Sequence, residues 1–224
     1  MARALLEHLD RPDGQEDVCF ATWRASTGRH RQTALVIDPV LPGRGERHVH
    51  GNASFESAYA LRATKVAAQR EEGVVFLHSH PSGEGWQHLG GLDTVAEASI
   101  ANLAREMTGL PLVGMTLAGR DGSWSSRVWD VGRGRHVRHT SCESVRVIGD
   151  HLRVSFNDRL RPRPRPQPTQ QRTISAWGER VQADLARLRV LVAGARSVGM
   201  HVVECLARTR DRAHRRHGLR PGRV

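Results

Sequence analysis

The sequence predicts an α/β fold in which a mixed sheet is flanked by two main helices. Short apolar runs rich in β-branched residues recur between residues 18 and 156, and two longer segments between them have helical periodicity. Glycine-containing turns separate these segments. At 158–172, alternating proline and arginine prevent helix formation and predict an extended linker, although such a segment could also dock into an aromatic groove of a partner. We therefore expect a main domain at 1–157, then a linker and a smaller piece.

The elements of the main domain follow from these patterns in chain order. The predicted strands are 18–24, 32–36, 47–50, 74–78, 112–117, 124–131, 145–148 and 152–156. The predicted helices are 55–71 and 92–107. Each strand is a short run of β-formers bounded by turn residues, and each helix has apolar residues at helical spacing. Strands that alternate with two helices predict a sheet with both helices packed against it.

The smaller piece at 173–208 has a pattern typical of phosphate binding. Its predicted elements are a helix at 174–188, a strand at 189–193 and a helix at 200–208. Gly194 and Gly199 lie between that strand and the second helix. A strand, a glycine-rich turn and a helix can hold a nucleotide phosphate on the N–H groups of the helix.

The most informative motif is His78-Ser79-His80-Pro81, which follows an apolar run. Side chains of a strand alternate between its faces, so His78 and His80 are predicted to point the same way. Pro81 ends the strand because it cannot donate a hydrogen bond to a neighbouring strand. Asp93 follows a glycine-rich loop, at the start of a helical pattern. Two imidazoles and one carboxylate suit zinc and leave a fourth position for water, as in catalytic zinc sites.

A second pair of histidines competes with this motif. His48 and His50 also alternate to one face of a predicted strand. No proline ends that strand, and no carboxylate follows at a comparable spacing. With 13 histidines in the chain, a His-x-His pair can arise by chance, and because His48 and His50 lack both features we favour His78 and His80 as the metal ligands.

Composition restricts the function classes. No apolar stretch approaches the roughly 20 residues that span a bilayer, and no apolar signal-peptide region follows the first residues, so a cytoplasmic location without membrane partners is expected. Three scattered cysteines provide neither a disulfide framework nor a Cys zinc site. The net charge of +11 is concentrated near the linker and in the segment 209–224, which is predicted to be a basic, disordered tail. Such tails bind nucleic acid without specificity, and no nucleic-acid motif accompanies them.

The motif from His78 to Pro81, with Asp93, resembles the signature of the JAB/MPN (JAMM) metalloprotease family, which has the form His-x-His-Pro, a loop, then Ser-x-x-Asp. Gly85-Trp86-Gln87 and the segment 93–97 look like the bacterial branch in which this domain is fused to a ThiF-like adenylyltransferase. The resemblance covers about residues 8–150. It implies a JAB/MPN-like sandwich with the cytidine-deaminase-like order of sheet and helices.

The resemblance also implies an activity and a set of roles. His78, His80 and Asp93 would hold one Zn²⁺, and Glu16 would be the general base and acid, since the family places a glutamate on an early strand. Asp17 is its neighbouring competitor, one residue out of register. The implied activity is that of a zinc metallo-isopeptidase or peptidase acting at the C-terminal bonds of ubiquitin-like proteins. The implied partners are such a protein or its conjugate, together with conjugation enzymes.

One position departs from the family pattern. The serine that the family has three residues before the aspartate corresponds to Gly90, which has no hydroxyl group. That serine helps to hold the tetrahedral intermediate, and loss of one such donor costs roughly a hundredfold or more in rate. Ser82, or a backbone N–H of Gly90 or Gly91, could substitute for it. The alternative is a scaffold of this fold with weak or no catalysis.

The smaller piece resembles the opening of ThiF-like adenylyltransferases, which have Gly-x-Gly-x-x-Gly here. Gly194 and Gly199 match that pattern, whereas Arg196 takes the place of the middle glycine and obstructs close approach to a phosphate. A nucleotide-binding unit also needs a second strand and an acidic residue about 20 residues further on. This piece is therefore predicted to be a truncated fragment of such a fusion, produced by frameshift or truncation, that does not use ATP.

Overall fold

The computed structural model describes residues 1–29, 31–50, 52–132, 136–194 and 196–209. The chain divides into two compact units, Met1–Leu160 and a second unit that begins at Arg161. This division lies within the segment 158–172 that the sequence predicts to be a linker. The tail predicted at 209–224 lies outside the described residues, apart from Thr209 at the end of the last helix.

The first unit is a mixed α/β structure, as the sequence predicts. Its helices in the described residues are α1 (Ala2–Leu9), α2 (Ser57–Gln69) and α3 (Gly91–Thr108). Its strands are β1 (Val18–Gly28), β2 (Arg31–Val40), β3 (Arg47–His50), β4 (Asn52–Phe55), β5 (Gly73–His80), β6 (Leu112–Ala118), β7 (Trp124–Val131), β8 (Val137–Ser141), β9 (Ser144–Ile148) and β10 (Leu152–Phe156). Every predicted strand of this unit corresponds to an observed one.

Six strands form the main sheet in the order β2-β1-β5-β6-β7-β8. Strands β5 and β6 run parallel, whereas the other neighbouring pairs are antiparallel. Strands β3 and β4 form one separate hairpin, and β9 and β10 form another. Because β5 is central and fully paired, its C-terminal end holds its side chains in fixed directions.

Both faces of the main sheet are covered. Helices α2 and α3 pack on one face, over Val18, Phe20, Val74, Phe76 and Leu112. The other face buries Cys19, Ala21, Val75, Leu77, Val113 and Met115 against α1 and the β9 strand. Successive side chains of β5 alternate between the two faces of the sheet. His78 and His80 therefore lie on the face that carries α2 and α3, as Val74 and Phe76 do.

Tyr59 joins α2 to two strands of the sheet through its hydroxyl group. The side chain is fully buried; its hydroxyl donates to the carbonyl of Val40 and accepts from the N–H of Phe20 at 3.2 Å. Its ring packs edge-on against Phe20, with centroids 4.8 Å apart. The hydroxyl thus satisfies two buried backbone groups that belong to different strands.

We expect Tyr59→Phe to lower the free energy of unfolding by about 1–3 kcal/mol, because it leaves a buried N–H and a buried carbonyl without partners. Urea unfolding followed by circular dichroism measures this loss. Ser99→Ala, which removes an exposed hydroxyl bonded within α3, is the control and should change stability by less than about 0.5 kcal/mol. Equal effects of the two variants would contradict a structural role for the Tyr59 hydroxyl.

The structure differs from the sequence-based expectation at several places in the first unit. Helix α1 and strands β4 and β8 were not predicted. Phe55, predicted to begin the first of the two helices, at 55–71, instead ends β4. The physical reason is packing, because the centroid of its ring lies 5.5 Å from that of Phe20 and 5.4 Å from that of Phe76. The extended backbone of β4 places the ring in this aromatic cluster.

The described residues of the second unit form a short 3₁₀ helix (Pro168–Gln170) and the helical segments α4 (Gln171–Arg187), which is interrupted by a kink at Gly178, and α5 (Val198–Thr209). The strand predicted at 189–193 is wrong, because these residues have no strand structure. A strand needs a partner for its backbone groups, and the described residues of this unit supply none. None of the helices in the described part of the chain combines the length and apolar character needed to cross a bilayer.

Candidate metal centre

The end of β5 presents two imidazoles to one point. His78 pairs with Val18 of β1 and Thr116 of β6, and His80 follows it on the same face. The two Nε2 atoms are 3.2 Å apart, and the ring centroids are 4.9 Å apart. His78 is buried, whereas 21% of the His80 side chain is exposed. The prediction that His78 and His80 point to the same side of the strand is therefore confirmed.

Asp93 supplies the third donor from the first turn of α3. Its Oδ2 lies 3.6 Å from Nε2 of His80 and 3.9 Å from Nε2 of His78. The same oxygen accepts the N–H of Gly90, the residue before the helix, at 3.2 Å. One ligand atom from each of the three side chains lies within 4.8 Å of the others. The structure thus brings together the three predicted ligands as a group that could bind a metal ion.

Gln87 determines which nitrogen of His80 faces this point. The side-chain amide of Gln87 donates to the carbonyls of Glu84 and Gly85 at 2.9 and 3.3 Å, so its Oε1 is left as an acceptor. That oxygen is 3.3 Å from Nδ1 of His80. The proton of a neutral His80 therefore lies on Nδ1, and Nε2 is free to bind a cation.

His78 is oriented by residues of the neighbouring strands. Its Nε2 lies 3.3 Å from Oγ1 of Thr116, and that oxygen accepts from Nη1 of Arg127 at 2.9 Å. Since a guanidinium can only donate, the hydroxyl proton of Thr116 is available to donate to His78 Nε2. Burial, reinforced by the positive charge of Arg127, lowers the pKa of His78 to about 3. His78 is therefore a neutral acceptor at neutral pH.

Three acceptor atoms that face one point can be satisfied by a cation between them. Tetrahedral bonds of about 2.0–2.1 Å place ligand atoms about 3.3 Å apart. The observed separations of 3.2, 3.6 and 3.9 Å are close to that spacing, so small shifts complete the set. The exposed fractions of His80 and Asp93, 21% and 28%, leave one side of the group open to solvent. The donor set could therefore hold a metal ion that keeps a position open to solvent.

In the absence of a metal ion, a proton can occupy the same place. A hydrogen bond with Asp93 raises the pKa of His80, and the same bond lowers the pKa of Asp93 to about 2. Both directions indicate that a positive charge between His80 and Asp93 is favourable. Protons and metal ions therefore compete for these atoms.

Glu16 lies beside this group, immediately before β1. The pairing of Val18 with His78 continues through the N–H of Ser79, which donates to the carbonyl of Asp17 at 3.0 Å. The same register places Glu16 opposite His80. Partial burial raises the pKa of Glu16, and its carboxylate interacts electrostatically with His80 and Asp93. Asp17 instead lies fully buried among Arg11 and Arg47, with which it forms ion pairs.

Gly90, where the resemblance predicts a serine, precedes the first turn of α3 and contacts a ligand. Its N–H donates to Asp93, so that group holds the ligand and is not free for another acceptor. Its φ of −74° is accessible to any residue. A Cβ built on Gly90 would lie 3.3 Å from Oδ2 of Asp93, a tight contact beside the ligand atom. Ser82, the other candidate donor, is exposed in the loop after Pro81.

The residues that support the ligands from behind were not predicted from the sequence. Glu97 of α3 and Arg127 of β7 form a buried ion pair next to His78, and Thr116 lies between Arg127 and His78. Glu97 lies four residues after Asp93, on the same side of a helix, which is a usable signal. Arg127 and Thr116 carry no such signal, because the strand register alone brings them to the site.

The remaining predicted positions lie apart from this group. His48 interacts with Glu56 at 2.8 Å, within the region of the β3–β4 hairpin, and is not among the clustered ligands. Gly194, with φ of +91°, and Gly199 lie in the second unit, where the carbonyl of Gly194 approaches Gly199 closely. Without a strand before Gly194, the predicted phosphate-binding arrangement of strand, turn and helix is not formed.

A comparison with known proteins gives no match, either among protein-family models or among curated proteins. A metal centre is therefore inferred from the side-chain positions themselves.

Proposed function

We propose that this protein is a zinc-dependent hydrolase of JAMM type that cleaves peptide or isopeptide bonds. The observation that carries the proposal is the convergence of Nε2 of His78, Nε2 of His80 and Oδ2 of Asp93, with Glu16 beside them. Two imidazoles and a single carboxylate suit zinc better than magnesium or calcium, which prefer oxygen donors. A bound zinc ion supplies an activated water and polarises the carbonyl that is attacked.

The chain's own groups provide the proton transfers. The Glu16 carboxylate accepts a proton from the attacking water and returns it to the leaving amine, since it lies next to His80 and Asp93 on the partly exposed side. Its raised pKa makes it a better base than an exposed glutamate. Gln87 keeps the Nδ1 proton on His80 throughout, and the N–H of Gly90 holds Asp93 in place.

The substrate that we propose is the bond at the C-terminus of a ubiquitin-like protein, either in a fusion or in a conjugate. This follows from the resemblance of the His78–Pro81 and Asp93 motif to the family signature. A non-catalytic scaffold is the second candidate, and it is favoured by one observation, the absence of a hydroxyl at Gly90. The two candidates share the fold and the metal ligands, so only turnover separates them.

Cleavage of a ubiquitin-like protein fused to a reporter tests this proposal. We expect the zinc-loaded protein to release the reporter, chelation to stop the reaction and added zinc to restore it, because the water is activated only when the metal is bound. His48→Ala/His50→Ala is the control for the general effect of removing two histidines and should cleave normally. A zinc-loaded protein that cleaves neither linear fusions nor isopeptide conjugates would contradict the hydrolase and favour the scaffold.

Restoring the family serine should increase the rate. Gly90→Ser adds a hydroxyl next to Asp93 at a backbone conformation that serine adopts easily. If it donates to the tetrahedral intermediate, we expect kcat to rise by roughly a hundredfold, the size of one such donor. Steady-state kinetics of reporter release measures this, with Gly90→Ala as the control that adds bulk without a hydroxyl. Equal rates in the two variants would show that residue 90 contributes no donor.

A further inference from the structure

A buried ion pair lies directly behind the candidate metal centre. The side chains of Glu97 and Arg127 are 0% and 5% exposed, and Nε of Arg127 donates to Oε2 of Glu97 at 2.7 Å. A second guanidinium N–H and the indole N–H of Trp129 also donate to this carboxylate. Burying both charges costs solvation, and well-packed apolar residues often serve stability as well or better. Stability alone therefore gives no reason for charges at this place.

The two groups of this pair approach different nitrogens of one imidazole, that of His78. Oε1 of Glu97 is 3.9 Å from Nδ1 of His78, a buried nitrogen that has no hydrogen-bond partner in the described part of the chain. Arg127 acts on the other nitrogen through Thr116, with contacts of 2.9 Å to its Oγ1 and 3.3 Å from there to Nε2 of His78. The negative charge thus faces Nδ1, and the positive charge faces Nε2.

This arrangement favours one tautomer of the neutral ring. The Glu97 carboxylate attracts a proton to Nδ1, and Arg127, together with the hydroxyl of Thr116, disfavours a proton on Nε2. A proton on Nδ1 leaves Nε2 unprotonated, 3.2 Å from Nε2 of His80 and 3.9 Å from Oδ2 of Asp93, so a metal ion can take the lone pair in place of the Thr116 hydroxyl. A metal-binding histidine commonly has its other nitrogen bonded to a carboxylate, which fixes the ring and its tautomer.

The glycine at position 114 makes this placement possible. Gly114 lies on β6 opposite Arg127, and a Cβ built there would lie 2.7 Å from the carboxyl carbon of Glu97 and 2.8 Å from Nε of Arg127. Any side chain at that position would push the pair away from its present place. The sheet therefore leaves space for these charged groups on the face that carries His78.

We propose that Glu97 and Arg127 are positioning residues that hold His78 as the Nδ1–H tautomer, so that Nε2 is ready to bind the metal ion. The proposal rests on the metal centre, and it is independent of whether the protein cleaves any substrate. Glu97 acts through His78 and does not itself touch the metal or a substrate.

The test combines the tautomer of His78 with zinc affinity. Long-range ¹H–¹⁵N spectra of metal-free protein should show His78 protonated on Nδ1, and Glu97→Gln should shift the population toward Nε2–H. Zinc affinity of Glu97→Gln, measured by competition with a chromogenic chelator, should fall by about 10–100-fold, as for other partners of metal ligands. Unfolding is measured in parallel, so that lost stability is separated from lost affinity.

Glu72→Gln is the matched control, because it replaces another buried carboxylate that pairs with an arginine. Glu72 is 1% exposed and accepts from Arg24 at 2.8 Å, and it precedes β5 at the end away from His78. We expect this variant to lose stability and to bind zinc as the wild type does. Equal zinc affinity in Glu97→Gln and wild type would overturn the proposal, as would an equal loss in both variants. If Glu97→Gln does not fold, the spectrum of the metal-free wild type decides the question by itself. A proton on Nε2 of His78 would then overturn the proposal.

Discussion

Replacing His78 and His80 together with alanine should reduce the zinc content of the purified protein from about one ion per chain to about none. The two imidazoles supply two of the three converging donor atoms, and Asp93 alone cannot hold the ion. Zinc affinity should fall by more than the 10–100-fold that loss of a supporting partner costs. Elemental analysis after dialysis against zinc-free buffer at neutral pH measures the ratio of metal to protein.

The chain offers a matched control in its other pair of histidines. His48→Ala/His50→Ala removes the same number of imidazoles from β3 and should leave the zinc content unchanged, since His48 interacts with Glu56 outside the cluster. Wild-type protein without metal, or equal loss in both double variants, would contradict a centre at His78. If elemental analysis finds iron and not zinc, the site stays the same but its metal is iron, because two histidines and a carboxylate also bind non-haem iron.

The ligands could be predicted from the sequence because each depends on local geometry. Alternation along a strand fixes the common direction of His78 and His80, and the central position of β5 leaves that strand no freedom to twist them apart. Asp93 is in the first turn of a helix, where a carboxylate is favoured, and its bond to the Gly90 N–H directs it toward the strand end. Local rules therefore sufficed for three positions that are separated by only 15 residues, from His78 to Asp93.

The supporting residues could not be predicted because they depend on tertiary register. Arg127 reaches His78 only because β7 pairs with β6, and β6 pairs with β5, in one particular alignment. The strand predicted at 189–193 failed for the opposite reason, since its sequence suits a strand but no partner strand lies beside it in the described residues. Intrinsic preference is a weak guide wherever pairing decides the structure.

Glu16→Gln should lower the rate of substrate cleavage by roughly 10²–10⁴-fold, the usual contribution of a general base and acid. An amide cannot accept the proton of the attacking water, yet it keeps the size of the side chain. Zinc content should stay the same, because Glu16 is not one of the three converging donors. Single-turnover kinetics with zinc-loaded protein measures the chemical step without interference from product release.

Asp17→Asn is the control that distinguishes the neighbouring carboxylates. Asp17 is fully buried and paired with Arg11 and Arg47, so its replacement should reduce stability by removing the charge that both guanidinium groups face, although Arg11 keeps its ion pair with Asp13. The rate per folded molecule should stay close to that of the wild type, since the register directs Glu16, and not Asp17, to the side of His80. If Glu16→Gln cleaves normally while Asp17→Asn does not, the base is the buried aspartate and the register argument is wrong. If both cleave normally, water is activated without either carboxylate, and the raised pKa of Glu16 reflects only its partial burial.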